Sequence, residues 1–204
     1  MPKEGRKFGF ERKKRILEWG VPALVGVRGP RCYLLLIDDH PFPNIGELVA
    51  RNAHWAEGFD ARGLAKEPTR RLAIVTCMDC RVDVESMLGL AIGEAHIIRN
   101  AGGAVTDDAI RSLCLSQRAL GTREILVIHH TQCGLEGLDE HVFNAELEDD
   151  LGVRPPWALE SFRDPYDDVR QSIRRLELSP YIAHKDHIAG FVYDVASGKL
   201  QPVD

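Results

Sequence analysis

The sequence predicts an α/β domain with a single mainly parallel, helix-covered central β-sheet of about four strands. Four apolar runs of strand length carry this expectation: "RLAIVT" (71–76), "AHIIR" (95–99), "EILVIHH" (124–130) and "IAGFVYDV" (188–195). They are continuous or nearly so, as expected for strands covered on both faces of a parallel sheet. Helical patterns lie between them. With 204 residues, 44% hydrophobic and 28% charged, the chain can bury the core of one domain of ordinary size.

Taken in order, the first 42 residues look unlike the rest. "MPKEGRKFGFERKKR" carries seven basic residues in fifteen, and the adjoining "ILEWGVPALVGVRGPRC" is broken up by Gly and Pro. Glu18 interrupts the apolar core that a secretory signal needs, and Glu4, Glu11 and Glu18 speak against a transit peptide. Residues 1–42 are therefore expected to be a poorly ordered extension, and 43–204 the folded domain. That domain opens with a helix near Asn44, where Ile45, Leu48, Val49, Ala53 and Ala56 fall roughly on one stripe. A second helix spans Thr106 to Leu120, with Thr106 as N-cap, Asp107 and Asp108 in the first turn and Gly121 just past the end. Asp164-Pro165 starts a third, with Val169, Ile173 and Leu176 at helical spacing. No internal repeat is visible.

Composition excludes several classes. Lys+Arg against Asp+Glu is 9 to 5 over residues 1–42 but 17 to 26 over the remainder, and the whole chain carries a net charge of -5. An acidic folded part argues against nucleic-acid binding. No run reaches the roughly 18 apolar residues of a membrane span. Five cysteines, single or in one tight cluster, do not form a disulfide framework, which points to a reducing, cytoplasmic compartment.

Ligands of open parallel sheets gather beyond the carboxyl ends of the strands. There "RLAIVT" runs into Cys77, and "EILVIH" runs into His130-x-x-Cys133. Two thiolates and an imidazole leave the fourth position of a zinc ion open, a catalytic pattern. Cys80 offers a competing reading, since Cys77-x-x-Cys80 is also the spacing of a redox dithiol or of a closed structural zinc site. If the chain stays extended past Cys77, residues 77, 79 and 81 share one side and Cys80 faces away as a packed thiol. Asp79 can then hold a hydroxide in place, and Arg81 can keep Asp79 ionised and off the metal by a bidentate pair.

Cys77-x-Asp79-x-Arg81, "IRNAGG" (98–103) and "HHTQCG" (129–134) together resemble the three signature blocks of the β-class carbonic anhydrases, over roughly residues 43–204. The resemblance implies Zn2+ held by Cys77, His130 and Cys133, with a catalytic Asp79 and Arg81 dyad. Asp79 would itself be a ligand only in a closed state. It further implies reversible hydration of carbon dioxide to bicarbonate by hydroxide on the zinc, favoured above neutral pH, in a homodimer or dimer of dimers whose N-terminal helix packs across onto the partner. Hydrolases of carbonyl sulfide and carbon disulfide share these residues, so they stand as the alternative.

Gly102 and Gly103 are either a plain turn or a close backbone approach that binds substrate through amides. His129 precedes the ligand on a strand and should point the opposite way, into the core or toward a helix. Asp83, Glu85 and Arg99 have no assigned role, though Arg99 is expected to pair with a neighbouring acid.

Overall fold

The computed structural model describes residues 43–204; the expected extension over 1–42 lies outside the described residues. These fall into two units, one ending at Asp60 and the other running from Ala61 to Asp204. The first contains helix α1 (Pro43–Glu57), which begins on a proline, the residue whose fixed φ suits a first helical turn. Ile45, Leu48, Val49 and Trp55 of α1 are exposed, and the Trp55 ring lies 4.8 Å from that of Phe59.

The second unit is built on β1 (Leu72–Cys77), β2 (Ala95–Asn100), β3 (Glu124–His130), β4 (Ile188–Asp194) and β5 (Lys199–Val203), in the order β2-β1-β3-β4-β5. The first four strands pair in parallel. The fifth, beyond the four expected, closes one edge antiparallel to β4. It escapes notice in the sequence because "KLQPV" has few apolar residues and a proline. Pro202 lacks an N–H, which an edge strand tolerates and a central one does not.

Helices α2 (Val84–Leu88), α3 (Asp107–Leu120), α4 (Glu140–Leu151) and α5 (Pro165–Leu178) complete the unit. Their starts follow from local chemistry. Thr106 accepts the amide of Ala109, and Asp164 accepts those of Tyr166 and Asp167 ahead of Pro165. On one face of the sheet, Ala73, Val75, Ile125, Val127 and Val192 pack with Leu113 of α3 and Val169 and Leu176 of α5. On the other, Ile74 and Ile128 pack with Val82 and Val84. Each such side chain, taken fully out of water, contributes about 1.5–3 kcal/mol.

The contact of α5 with β4 depends on a missing side chain. A Cβ at Gly190 would lie 2.3 Å from Val169 Cγ1 and 2.7 Å from Ile173 Cδ1. Valine is stiff at χ1 and fully buried here, so the helix must shift. Gly190→Ala is expected to cost about 1–3 kcal/mol of stability, as overpacking does. Denaturant unfolding would read this directly, and an unchanged midpoint would show that α5 moves away freely.

Because β2, β1 and β3 are neighbours, their carboxyl ends deliver Cys77, the turn after Asn100 and the His130–Cys133 loop to one edge.

Candidate metal centre

Cys77, His130 and Cys133 are all buried, and one ligand atom from each lies within 4.8 Å of the others. The two Sγ atoms are 3.9 Å apart. Two thiolates at the usual Zn–S length around a tetrahedral ion would be about 3.8 Å apart. The imidazole is equally prepared. Its Nδ1 sits 2.9 Å from the Thr131 carbonyl, so the N–H belongs there. Nε2 is left buried with no hydrogen-bond partner, a cost that a bound cation would remove. These residues fit a zinc ion.

The electrostatics agree. The hydrogen bond from Cys133, with support from His130, pulls the Cys77 thiol down to about 4 against the opposing effect of burial. Cys133 is pushed well up by that same bond and by its own burial. The two sulfurs are thus unequal, and Cys77 is the one that gives up its proton more readily. Burial alone would lower His130, but the adjacent Cys77 sulfur and its charge outweigh it and raise the ring.

Beside the cluster stands Asp79, its Oδ2 3.8 Å from His130 Nε2. Arg81 holds it three times. Nε donates to Oδ1 at 2.9 Å, Nη2 to Oδ2 at 2.7 Å, and the backbone N to Oδ1 at 2.9 Å. The side-chain bonds keep Asp79 well below the usual carboxylate range, so it is ionised and acts only as an acceptor. Arg81 Nη2 also donates to the Gln132 carbonyl at 2.9 Å, which ties the β1 loop to the β3 loop. Gln132 presents that carbonyl from a left-handed conformation, φ 57°, while its own amide reaches Glu136 Oε2 at 3.0 Å.

The chain does not stay extended after Cys77, contrary to the expectation from strand alternation. It turns, with Val82 N bonded to Asp79 O at 3.0 Å, and the dyad forms across this turn. Cys80 lies outside the cluster as expected, but it is exposed rather than packed. A turn has no buried side on which to pack it.

Arg99 likewise departs from its expected acid partner. Its Nε donates to the Cys77 carbonyl at 3.0 Å and its Nη2 to that of Asp79 at 2.7 Å. One guanidinium therefore braces the backbone that leads from β1 into the turn. Nothing in the sequence could signal this, because the acceptors are main-chain atoms that every residue has.

The glycine pair after β2 is a close approach rather than a plain turn. Gly102 (φ 76°) and Gly103 (φ 74°) lie in a 3-10 turn, Ala101–Gly103. A Cβ at Gly103 would lie 2.9 Å from Cys77 N, and one at Gly102 2.9 Å from Leu135 Cδ1. Leu135 and Phe162 pack on the two cysteines, with Ala101, Leu138 and Leu159 alongside, giving the centre an apolar wall. His129 is fully buried on the face opposite its neighbour and meets Asp168 of α5, a helix-facing position as expected.

The sheet thus brings to its strand ends a buried Cys/His/Cys cluster that fits a metal ion, with an ionised acceptor alongside. Comparisons with known proteins agree. The family model described as "Carbonic anhydrase" matches residues 72–142. Beta-carbonic anhydrase 1 of Mycobacterium tuberculosis is 50% identical over 157 residues, covering 77% of this chain and 96% of the relative. A carbon disulfide hydrolase of Saccharolobus solfataricus is 39% identical over 183 residues, covering 77% and 89%. The crystal structure of carbonic anhydrase from Streptococcus mutans superposes with a TM-score of 0.74 at 42% identity, covering 78% of this chain and 97% of that one. The chain belongs to the β-carbonic anhydrase family and is an enzyme of that family.

Proposed function

We propose that the protein catalyses the zinc-dependent reversible hydration of carbon dioxide to bicarbonate. The observation that carries this reading is the unpartnered, buried Nε2 of His130 beside two sulfurs 3.9 Å apart. Cys77, His130 and Cys133 would hold the ion. Zinc, when bound, acidifies water at its open position and so supplies a nucleophile at accessible pH. Asp79 Oδ2 accepts the hydrogen bond that orients the attacking water. Arg81 keeps both carboxylate oxygens engaged; Asp79 would serve as a further ligand only in a closed form in which Arg81 released it. Gly102 and Gly103 form a close-fitting side of the substrate site, and the wall of Leu135 and Phe162 suits an uncharged linear substrate. The catalytic unit is assigned to residues 43–204, with 1–42 as an extension.

That apolar wall and the carbon disulfide hydrolase relatives also fit attack on a carbon bearing sulfur. A paired assay separates the two readings. Stopped-flow hydration of carbon dioxide is run beside sulfide release from carbonyl sulfide and carbon disulfide. Fast hydration with negligible sulfide is expected, and sulfide alone would overturn the proposal.

Zinc must displace the proton on Cys133, whose thiol is pushed up, and any proton on His130. Affinity should therefore rise with pH, by about tenfold or more per unit where one or more protons leave. Acid weakens binding because the proton competes for the same sulfur. Chelator competition at pH 6, 7 and 8 would read the slope; a flat line would mean that the sulfurs are not ligands.

The exposed Ile45, Leu48 and Val49 of α1 support assembly as a homodimer or a pair of dimers. Light scattering that returned a monomer would exclude it. The free thiols among the described residues fit a reducing compartment, and we assign the protein to the cytoplasm. No helix among the described residues is long and apolar enough to cross a membrane.

A further inference from the structure

We infer that His129 and Asp168 form a positioning pair that holds the Gly102–Gly103 turn against the metal ligand Cys77; the inference rests on the reading of that centre given above. His129 is fully buried, and each ring nitrogen faces an acceptor. Nε2 lies 3.2 Å from the Gly103 carbonyl, and Nδ1 lies 3.0 Å from Asp168 Oδ2. The Asp168 carboxylate falls outside hydrogen-bond geometry but lies in close contact with the ring and seats it from the side of α5.

A plain core residue does not explain this arrangement. The strand face that carries His129 otherwise presents Ile125 and Val127 to α5. Leucine or isoleucine there would pack without the desolvation cost that a buried imidazole brings. What the imidazole adds is a link from the first turn of α5 to the carbonyl of Gly103. That glycine cannot retreat, because its backbone already lies against Cys77, where a Cβ would meet Cys77 N at 2.9 Å. The ring also lies 6.1 Å from that of Phe162 in the apolar wall. The pair therefore fixes from behind the backbone that closes one side of the metal centre. Both residues act through Gly103, not on substrate.

The test uses the full-length, zinc-loaded protein and its Asp168→Asn and His129→Gln variants. Asp167→Asn serves as control, since Asp167 neighbours Asp168 in the same helix turn, pairs with Arg170 and is 78% exposed. Hydrogen exchange over residues 100–105, zinc retention against a chelator, and kcat and KM for hydration are measured. Asp168→Asn and His129→Gln are expected to speed exchange in 100–105 about tenfold relative to the rest of the sheet. Zinc retention falls several-fold, and kcat falls about tenfold with KM unchanged. The double variant is no worse than either single one, because both act through one link, and Asp167→Asn matches wild type.

Exchange and zinc retention unchanged in Asp168→Asn would overturn the inference, as would loosening spread evenly over the chain. If His129→Gln fails to fold, the isosteric Asp168→Asn still decides. If wild-type protein binds zinc but hydrates nothing, the proposed reaction fails, while exchange and retention still judge the pair.

Discussion

Cys77→Ser is expected to lose its zinc on dialysis and to fall to the uncatalysed rate of hydration, while Cys80→Ala keeps one zinc per chain and wild-type turnover. A serine hydroxyl does not ionise near neutral pH, so the substitution removes a thiol that the hydrogen bond from Cys133 holds well below its ordinary range. Cys133 and His130 alone cannot complete the three-residue set. Metal analysis of the purified variants reads the result. The stability cost follows by mass action: at a free zinc concentration a thousand times the dissociation constant, bound metal contributes about 4 kcal/mol. Chelator should lower the thermal midpoint of wild type toward that of Cys77→Ser and leave the variant unmoved. Equal zinc loss in Cys77→Ser and Cys80→Ala would instead mean that Cys77-x-x-Cys80 binds the metal and the centre is closed. The exposure of Cys80 argues against that outcome.

Asp79→Ala separates binding from chemistry. It should retain zinc, because none of the three clustered ligand atoms is altered. Turnover should fall by about a hundredfold or more, the range for removing a group that accepts a proton or a hydrogen bond in the rate-determining step. Two further readouts constrain the interpretation. Asp79 sits far below the usual carboxylate range because Arg81 holds it, so it stays ionised through ordinary acid. The acid limb of the activity profile should therefore persist in conservative variants of Arg81 that keep the fold. Any stability gained from the depressed carboxylate is present at neutral pH and is lost only as pH falls through its lowered value. Hydration unimpaired in Asp79→Ala would remove this residue from the mechanism.

The parts of this design legible in the sequence are those that physics repeats along the chain. The four parallel strands leave continuous or nearly continuous apolar runs, and α3 and α5 announce themselves through Thr106, Asp164-Pro165 and their stripes. The clustering of Cys77, His130 and Cys133 was legible because the first two end neighbouring strands and the third follows three residues after His130. Helix α4 was not, for it buries none of its residues and so has no stripe, although Asp139 and Gly152 do mark its two ends. The same limit hid β5, an edge strand with little to bury. Within the site, Gly102 and Gly103 signalled a special backbone, but not that the neighbour was the main chain of Cys77. Arg99 left no trace, because its partners are carbonyls set beside it only by folding. The contact between Asp79 and Arg81 is present, but not by the geometry expected for it, since the turn closed by Asp79 and Val82 replaces the extended segment.

Every chemical group proposed for the reaction enters from the ends of three adjacent strands of one sheet. The connections that carry the chain from one of these strands to the next, residues 78–94 and 101–123, return to the opposite edge before each strand begins. Length changes near those returns, around Gly93 or Gly121, would be absorbed far from the reacting atoms. The architecture thus leaves the protein free to drift in size and outline while the reaction chamber stays the same, and any change of substrate has to come from the few side chains that roof it.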